Sequence, residues 1–152
     1  MNDPRARKAS QAALMSTADE TEASFYDALQ HADIEKMMAV WSDDEEIACV
    51  HPGGPRVVGT VAVRAAFEAV FVNGAVQVQV HHVRRFETPH CAVHHVTEKV
   101  QAMTDKGFQT AYVMATNVYV RTPQGWRMVA HHASSGLPQD LPDISEPRTT
   151  LH

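Results

Sequence analysis

The sequence predicts a single α+β domain in which helices come first and a curved antiparallel sheet wraps around them. Apolar residues recur at three- and four-residue spacing through the first half of the chain, which is typical of helices packed on a core. From Ala75 onward, polar and apolar residues alternate between short turns, as in an antiparallel meander. The length of 152 residues suits one hydrophobic core and is short for two.

Composition argues against several classes of protein. Thirteen basic and eighteen acidic residues give a net charge of −5 without a basic stripe, so we expect no nucleic-acid partner. No apolar run approaches the roughly 18 residues that a membrane span needs, and the first residues lack the apolar core of a signal peptide. Cys49 and Cys91 are too few for a disulfide framework, so we expect free thiols in a soluble cytoplasmic protein.

Two helices are expected near the start of the chain. Residues 1–16 form a polar, alanine-rich extension, and the first helix begins at Thr17, whose spacing from Glu20 is that of a capping box. Asp33 is placed to cap a second, shorter helix, which ends in the acidic segment after Trp41.

A short strand over 47–51 precedes a third helix. The segment His-Pro-Gly-Gly-Pro after this strand predicts a chain reversal, because prolines and glycines favour turns. The next helix opens at Gly59-Thr60 and carries one apolar stripe. The residues of that stripe are Val63, Ala66, Phe67, Val70 and Phe71.

Four strands complete the predicted domain. They span about 75–86, 90–102, 108–121 and 126–134, and their short connections predict antiparallel pairing of neighbours. The proline-spaced residues 136–152 form a tail that drapes over the domain or stays mobile, which leaves 17–135 as the folded unit.

Histidine doublets are the unusual feature of these strands. The doublets are His81-His82, His94-His95 and His131-His132. Because successive side chains point to opposite faces, at most one of each doublet enters a shared pocket. Closing the three hairpins sets His82 opposite His94, His94 opposite Asn117, and Ala115 opposite His132. This register places His82, His94, Asn117 and His132 on the apolar, core-facing side. The other face carries valines with Tyr112 and Met114, and a homodimer packed sheet to sheet would cover it.

The order of elements and two segments resemble the SnoaL-like branch of the nuclear transport factor 2-like superfamily. The segments are Cys-Val-His-Pro-Gly-Gly-Pro-Arg-Val-Val-Gly from Cys49 and Tyr-Val-Arg-Thr-Pro-Gln-Gly-Trp-Arg-Met-Val-Ala-His-His-Ala-Ser from Tyr119. The resemblance covers about residues 17–135. It implies a cone-shaped, cystatin-like α+β barrel, frequent homodimers and a pocket between sheet and helices. It does not imply one reaction, because this scaffold hosts isomerases, cyclases, hydrolases, dehydratases and non-catalytic binding modules.

The resemblance to ketosteroid isomerase-like relatives concerns three positions. Those relatives place a carboxylate base at the end of the first strand, where this sequence has His51. Their oxyanion donors, a first-helix tyrosine and a late-strand aspartic acid, match Phe25, with Tyr26 adjacent, and Asn117. An imidazole thus replaces the acid, and steroid isomerisation is not what the resemblance implies here.

Acid–base chemistry on a small, partly apolar organic molecule is the leading hypothesis. His51 takes or delivers the proton, while Asn117 or His132 stabilises developing charge on oxygen. The alternative for His51 is a purely structural contact in its turn. Further contacts to the ligand are expected from Phe25, Tyr26, Trp41, His82, His94, Trp126 and Met128.

Two other hypotheses remain open. In the first, His82, His94 and His132 hold zinc or a similar ion, although no metal signature matches their spacing. In the second, the chain is a non-catalytic module for ligand binding or dimerisation and needs no cofactor. Glu98 is the only carboxylate that the alternation places on the pocket face, so a mechanism with paired carboxylates is not expected.

Overall fold

The computed structural model of the chain describes residues 15–147. Within this range lie the helices α1 (Ala18–His31), α2 (Ile34–Val40) and α3 (Thr60–Phe71). The strands are β1 (Ala48–Val50), β2 (Arg56–Val58), β3 (Gln77–Glu87), β4 (Cys91–Thr104), β5 (Gly107–Thr122) and β6 (Gly125–Leu137). The predicted α+β class and order of elements are confirmed, and β2 is an addition. No helix among the described residues has the length and apolar character needed to cross a membrane.

Side-chain caps start the first two helices. The Thr17 hydroxyl accepts a hydrogen bond from the Glu20 amide at 3.1 Å, which is half of the predicted capping box. The Glu20 carboxylate binds the amide and hydroxyl of Ser16, each at 2.9 Å, instead of the Thr17 amide. The Asp33 carboxylate accepts from the Lys36 amide at 3.0 Å and caps α2 as predicted.

The chain reversal after β1 is tight enough to pair two strands. Cys49 lies opposite Val57 in the antiparallel pair of β1 and β2. Gly59 then turns the chain into α3 with φ of +93°, a conformation that residues with a side chain rarely adopt. Its amide donates to the carbonyl of Ile47 at 2.8 Å, which ties the start of α3 to the start of β1.

All six strands form one sheet in the order β2-β1-β6-β5-β4-β3. The predicted antiparallel meander is confirmed for β3 to β6, while β1 runs parallel to β6. The core lies between the helices and the inner face of this sheet. Its largest fully buried side chains include Trp41, Tyr119, Phe25, Phe67 and Met128.

The third hairpin contains a bulge that reverses part of the predicted register. Near its turn the hairpin is tight, with Arg121 opposite Trp126, and counting from that pair gives the predicted pairing of Ala115 with His132. Between Val118 and Tyr119 the register shifts by one residue, because their partners are Ala130 and Met128. One extra residue sends every later side chain of the strand to the opposite face.

The bulge corrects the prediction for the doublet on β6. His131 lies opposite Asn117 and is 4% exposed, whereas His132 lies opposite Thr116 and is exposed. The prediction that His132 faces the core was therefore wrong, and its neighbour takes that place.

The first hairpin also departs from the predicted register. It closes at Glu87 and Ala92, so Arg85, and not His82, lies opposite His94. A second shift, between Val80 and His82, leaves His81 as the extra residue. His82 thus lies on the outer face and is exposed, and the prediction that it shares a face with His94 was wrong.

The chain after β6 lies against the outer face of the sheet. Asp140 Oδ2 is 2.7 Å from His81 Nε2 and 3.2 Å from His82 Nε2. Asp143 accepts a hydrogen bond from the guanidinium of Arg84 at 3.2 Å. Up to residue 147, the tail therefore covers the β3 side of this face.

Candidate functional site

Polar side chains are buried together between α1 and the inner face of β4, β5 and β6. Each is 6% exposed or less, which for charged or polar groups requires hydrogen-bond partners. We refer to these seven residues as the polar cluster. They are Glu22, Tyr26, His94, Glu98, Asn117, Tyr119 and His131.

The Glu22 carboxylate is the hub of the polar cluster. Its Oε2 atom accepts from His94 Nδ1 at 2.8 Å, from the Tyr119 hydroxyl at 2.8 Å and from Asn117 Nδ2 at 3.5 Å. Glu22 and Tyr26 lie four residues apart on α1, so one helix face points both toward the sheet. Because Nδ1 of His94 donates to a carboxylate, Nε2 carries no proton in the neutral ring.

Glu98 is a second buried carboxyl in the polar cluster. The Tyr26 hydroxyl donates to Glu98 Oε2 at 2.7 Å and accepts from Asn117 Nδ2 at 3.0 Å. Burial raises the pKa of Glu98 to about 7, against a smaller opposing effect of the Tyr26 hydrogen bond and with a further rise from the charge of Glu22. Burial also raises the pKa of Tyr26 well above its usual range. Near neutral pH, Glu98 therefore exchanges a proton while the phenol keeps its own.

Two histidines extend the polar cluster toward α3. His131 Nδ1 donates to Asn117 Oδ1 at 2.5 Å. The ring of His51 lies 6.2 Å from that of His131 and 4.9 Å from that of Phe67, and its Nε2 is 3.7 Å from Cys49 Sγ. Burial lowers the pKa of His51 and, more strongly, lowers the pKa of His131 to about 3. Both imidazoles are thus neutral at pH 7, and His51 is the partly exposed one.

Several predicted site residues do meet at the polar cluster. Tyr26, His94 and Asn117 belong to it, and His51 lies beside it. Asn117 lies opposite His94 as predicted, and it links His131 to Glu22 directly and to Glu98 through the Tyr26 hydroxyl.

Other predicted contact residues lie in the core or at the domain edge. Phe25, Trp41 and Met128 are 0% exposed and pack as core side chains. Phe25 contacts the rings of Tyr26 and His131, each at 5.0 Å between centroids. Trp126 is only partly buried and lines a cleft beside the start of α1.

The imidazoles proposed for zinc are divided between the two faces of the sheet. His82 and His132 line a cleft of about 220 Å³ on the outer face, together with His95 and Asp143. His94 is fully buried on the inner face. A sheet separates the donors, so the three histidines named from the sequence cannot share an ion.

Sequence reasoning missed three members of the polar cluster. Glu22 lies within the predicted first helix, on the same buried face as Thr21 and Phe25, and this helical position indicates that its side chain is buried. Tyr119 follows Asn117 by two residues in the same strand, so strand alternation indicates that both side chains point to the inner face. His131 was hidden by the bulge in β6, for which no residue gave a sign.

Comparisons with known proteins identify the family. The SnoaL-like domain family matches residues 19–138. A solved structure of a candidate calcium/calmodulin-dependent protein kinase type II association domain from Thiobacillus denitrificans is 34% identical, with a TM-score of 0.72, covering 80% of this chain and 97% of that chain. A candidate dehydratase of the NTF2-like family from Streptomyces avermitilis is 28% identical, with a TM-score of 0.69, and the match covers 77% of this chain and 92% of that chain.

A more distant structure supports the fold alone. A protein with a cystatin-like fold from Caulobacter vibrioides is 17% identical with a TM-score of 0.65, and covers 77% of this chain and 85% of that chain. A search of the curated proteins found no significant match. With a family match over most of its length, the chain belongs to the SnoaL-like family of NTF2-like proteins.

Proposed function

We propose that the chain binds a small, partly apolar organic molecule against the inner face of its sheet and catalyses proton transfer on it without a cofactor. The observation that carries this proposal is the Glu98 carboxyl, which burial tunes to a pKa of about 7 and which the Tyr26 hydroxyl contacts at 2.7 Å. A group that titrates near the working pH is the most effective general acid or base. Isomerases, lyases and hydrolases all use such a group.

Tyr26 and Asn117 supply the complementary part of the chemistry. A phenol that stays protonated can donate to oxygen charge that develops in the ligand, once its present bond to Glu98 is released. The Asn117 amide donates to that phenol oxygen, which orients the Tyr26 hydroxyl and strengthens it as a donor. Glu98 then removes or returns the proton on carbon or oxygen.

The surroundings of Glu98 favour a ligand with apolar parts. Val113 lies opposite Glu98 in the sheet, and the next inward pair along the strands is Val78 and Val100. Val100 is partly exposed whereas Glu98 is buried, so we expect a ligand to approach the carboxyl from this end of the inner face. A hydrocarbon portion would pack on these valines while an oxygen faces Tyr26.

His51 is the second proton-exchanging group in this proposal. It is neutral and partly exposed, and it lies beside His131 at the other end of the polar cluster. Elimination of water needs a base for the departing proton and an acid for the departing hydroxyl. The similarity to a candidate dehydratase of the NTF2-like family supports that reaction class.

The test uses Glu98→Gln and Tyr26→Phe, with the exposed Glu46→Gln as the matched control. Each protein is incubated in D₂O with a panel of β-hydroxyketones and enones, and ¹H NMR follows dehydration and deuterium uptake beside the carbonyl. We expect turnover by the unaltered chain and by Glu46→Gln, with a fall of about 10²- to 10⁴-fold in Glu98→Gln. Because burial lowers the pKa of His51 below 6.5, the rate above that pH should follow one ionisation near pH 7, which Glu98→Gln removes. Full turnover in Glu98→Gln would exclude Glu98 as the proton-transfer group.

The second candidate function is self-assembly through the outer face of the sheet. Met114 on that face is 46% exposed, and the cross-strand pair Met103 and Phe108 at the β4–β5 turn is 66% and 73% exposed. Exposed apolar groups of this size favour a protein partner. The 34% identical relative is described as an association domain, which supports a homodimer here.

Charge substitution on this face tests the dimer. We expect the unaltered chain to sediment as a dimer and Met114→Lys or Phe108→Glu to sediment as a monomer, while Glu98→Gln stays dimeric. A chain that sediments as a monomer throughout would exclude this candidate and leave the catalytic proposal standing.

A further inference from the structure

Two buried side-chain nitrogens have no hydrogen-bond partner among residues 15–147, Trp41 Nε1 and His94 Nε2, and only the second lies near carboxylates. His94 Nε2 is fully buried and makes no hydrogen bond within residues 15–147. This atom lies 3.7 Å from Glu87 Oε1 and 3.9 Å from Asp19 Oδ1. When the ring is neutral and its Nδ1 donates to Glu22, the Nε2 lone pair faces two carboxylates. Two carboxylates and a lone pair directed at one point repel each other; the Arg85 guanidinium beside Asp19 offsets part of this repulsion, and a cation bound between the three atoms would offset the rest.

The geometry points to a site for one divalent transition-metal ion, such as Zn²⁺, bound by Asp19, Glu87 and His94. The three donor atoms lie within 4.8 Å of one another. Ligand atoms bound at about 2.1 Å to one tetrahedral ion lie about 3.4 Å apart, so the two carboxylates must each approach His94 Nε2 by about 0.3–0.5 Å, and each other by at most about 1.4 Å, to complete the site. One imidazole and two carboxylates suit first-row divalent ions.

The surroundings of His94 match the usual support of a metal-binding histidine. The second ring nitrogen of such a histidine commonly donates to a carboxylate, which fixes the tautomer and orients the ring. Here Glu22 accepts from His94 Nδ1 at 2.8 Å, and Tyr119 anchors the same carboxylate oxygen. The lone pair of Nε2 is thereby held toward the two acidic side chains.

The two carboxylates reach the proposed site from the solvent side. The side chains of Asp19 and Glu87 are 58% and 54% exposed, and both line a cleft of about 300 Å³ with Thr88 and Trp126. The Arg85 Nε atom donates to Asp19 Oδ1 at 2.9 Å and holds that carboxylate over the cleft. Water from the cleft can fill the remaining coordination position, as at metal sites that keep an open ligand.

The test measures binding of Zn²⁺ itself to the whole chain. His81 and His82 with Asp140 form an exposed second group of donors, so every protein carries His81→Gln and His82→Gln to remove it. The chain is stripped with a chelator and titrated calorimetrically with zinc chloride. Long-range ¹H–¹⁵N spectra follow the ring nitrogens of His94.

We expect one ion per chain, a displaced Nε2 resonance of His94 and an unshifted tautomer. Glu87→Gln and Asp19→Asn should each weaken binding by at least about tenfold, since each removes a ligand. The matched control is Asp105→Asn, an exposed acid at the opposite end of β4. Absence of saturable zinc binding, or binding that Glu87→Gln and Asp105→Asn change equally, would overturn the inference. Both exposed variants keep the core intact, and neither touches Glu98, so failure here leaves the proposed acid–base function untouched.

Discussion

Replacing Tyr119 by Phe isolates one hydrogen bond of the polar cluster. The ring is fully buried, and its hydroxyl donates to Glu22 Oε2 at 2.8 Å. The substitution removes that donor without creating a cavity, so the loss is the net worth of a hydrogen bond to a charged group, about 1.5–3 kcal/mol. We therefore expect the free energy of unfolding to fall by about 2 kcal/mol.

Urea unfolding followed by circular dichroism measures this change. With a slope of about 2 kcal/mol per molar urea, the midpoint should move down by about 1 M while the slope stays constant. The matched control is Tyr112→Phe, because Tyr112 lies on the outer face and is half-buried. Its effect should stay within about 0.5 kcal/mol, as for most surface changes.

A double-mutant cycle with Glu22→Gln then tests the pairing directly. If Tyr119 and Glu22 form one network, the two losses are not additive, and we expect a coupling energy of about 1 kcal/mol or more. Equal costs for Tyr119→Phe and Tyr112→Phe would refute the reasoning. So would losses that add within about 0.5 kcal/mol, since that is the behaviour of independent sites.

Three further predictions follow from burial and backbone geometry. Because the folded-state pKa of Glu98 is raised to about 7, the folded chain binds the Glu98 proton more tightly than the unfolded chain does. Protonated Glu98 therefore contributes fully to the free energy of unfolding below pH 4.5, and this contribution falls by about 3 kcal/mol up to pH 8. Glu98→Gln should remove this fall in urea titrations, and Glu46→Gln should keep it. The pKa of His131 is lowered to about 3, so stability falls by about 2 kcal/mol from pH 6.5 to 4.5, and His131→Gln should lack that loss. A Cβ at Gly136 would lie 2.1 Å from the Tyr112 carbonyl oxygen, so Gly136→Ala should cost at least about 2 kcal/mol in chemical unfolding.

Controls separate these effects from general damage. The effects of Glu98 and His131 oppose each other between pH 4.5 and 6.5, so each is obtained as the difference between the unaltered chain and one variant. The exposed His95→Gln should leave the pH dependence unchanged. Ser135→Ala, beside Gly136, should change the stability by less than about 0.5 kcal/mol. An unchanged pH profile in His131→Gln, or a neutral Gly136→Ala, would contradict the corresponding prediction.

Local patterns determined the order of elements and the central pair of the site. The cap at Asp33, the glycine before α3 and the alternation in β4 and β5 each depend on neighbours in the chain. The second hairpin has a tight turn without a bulge, so its register follows by counting, and His94 lies opposite Asn117 as predicted.

Only the tertiary structure decided which other side chains join that pair. A bulge in β6 inserts one residue and exchanged His132 for His131, while closure of the first hairpin at Glu87 and Ala92 turned His82 outward. A bulge depends on how a whole strand fits its neighbour and the core, so the residues adjacent to it in the sequence do not predict it. Glu22 reaches the sheet from α1 across 72 residues of chain, and only packing brings that carboxylate to His94. Helical and strand periodicity are short-range properties that a sequence records, whereas face reversal and contacts between distant elements are outcomes of the packed domain.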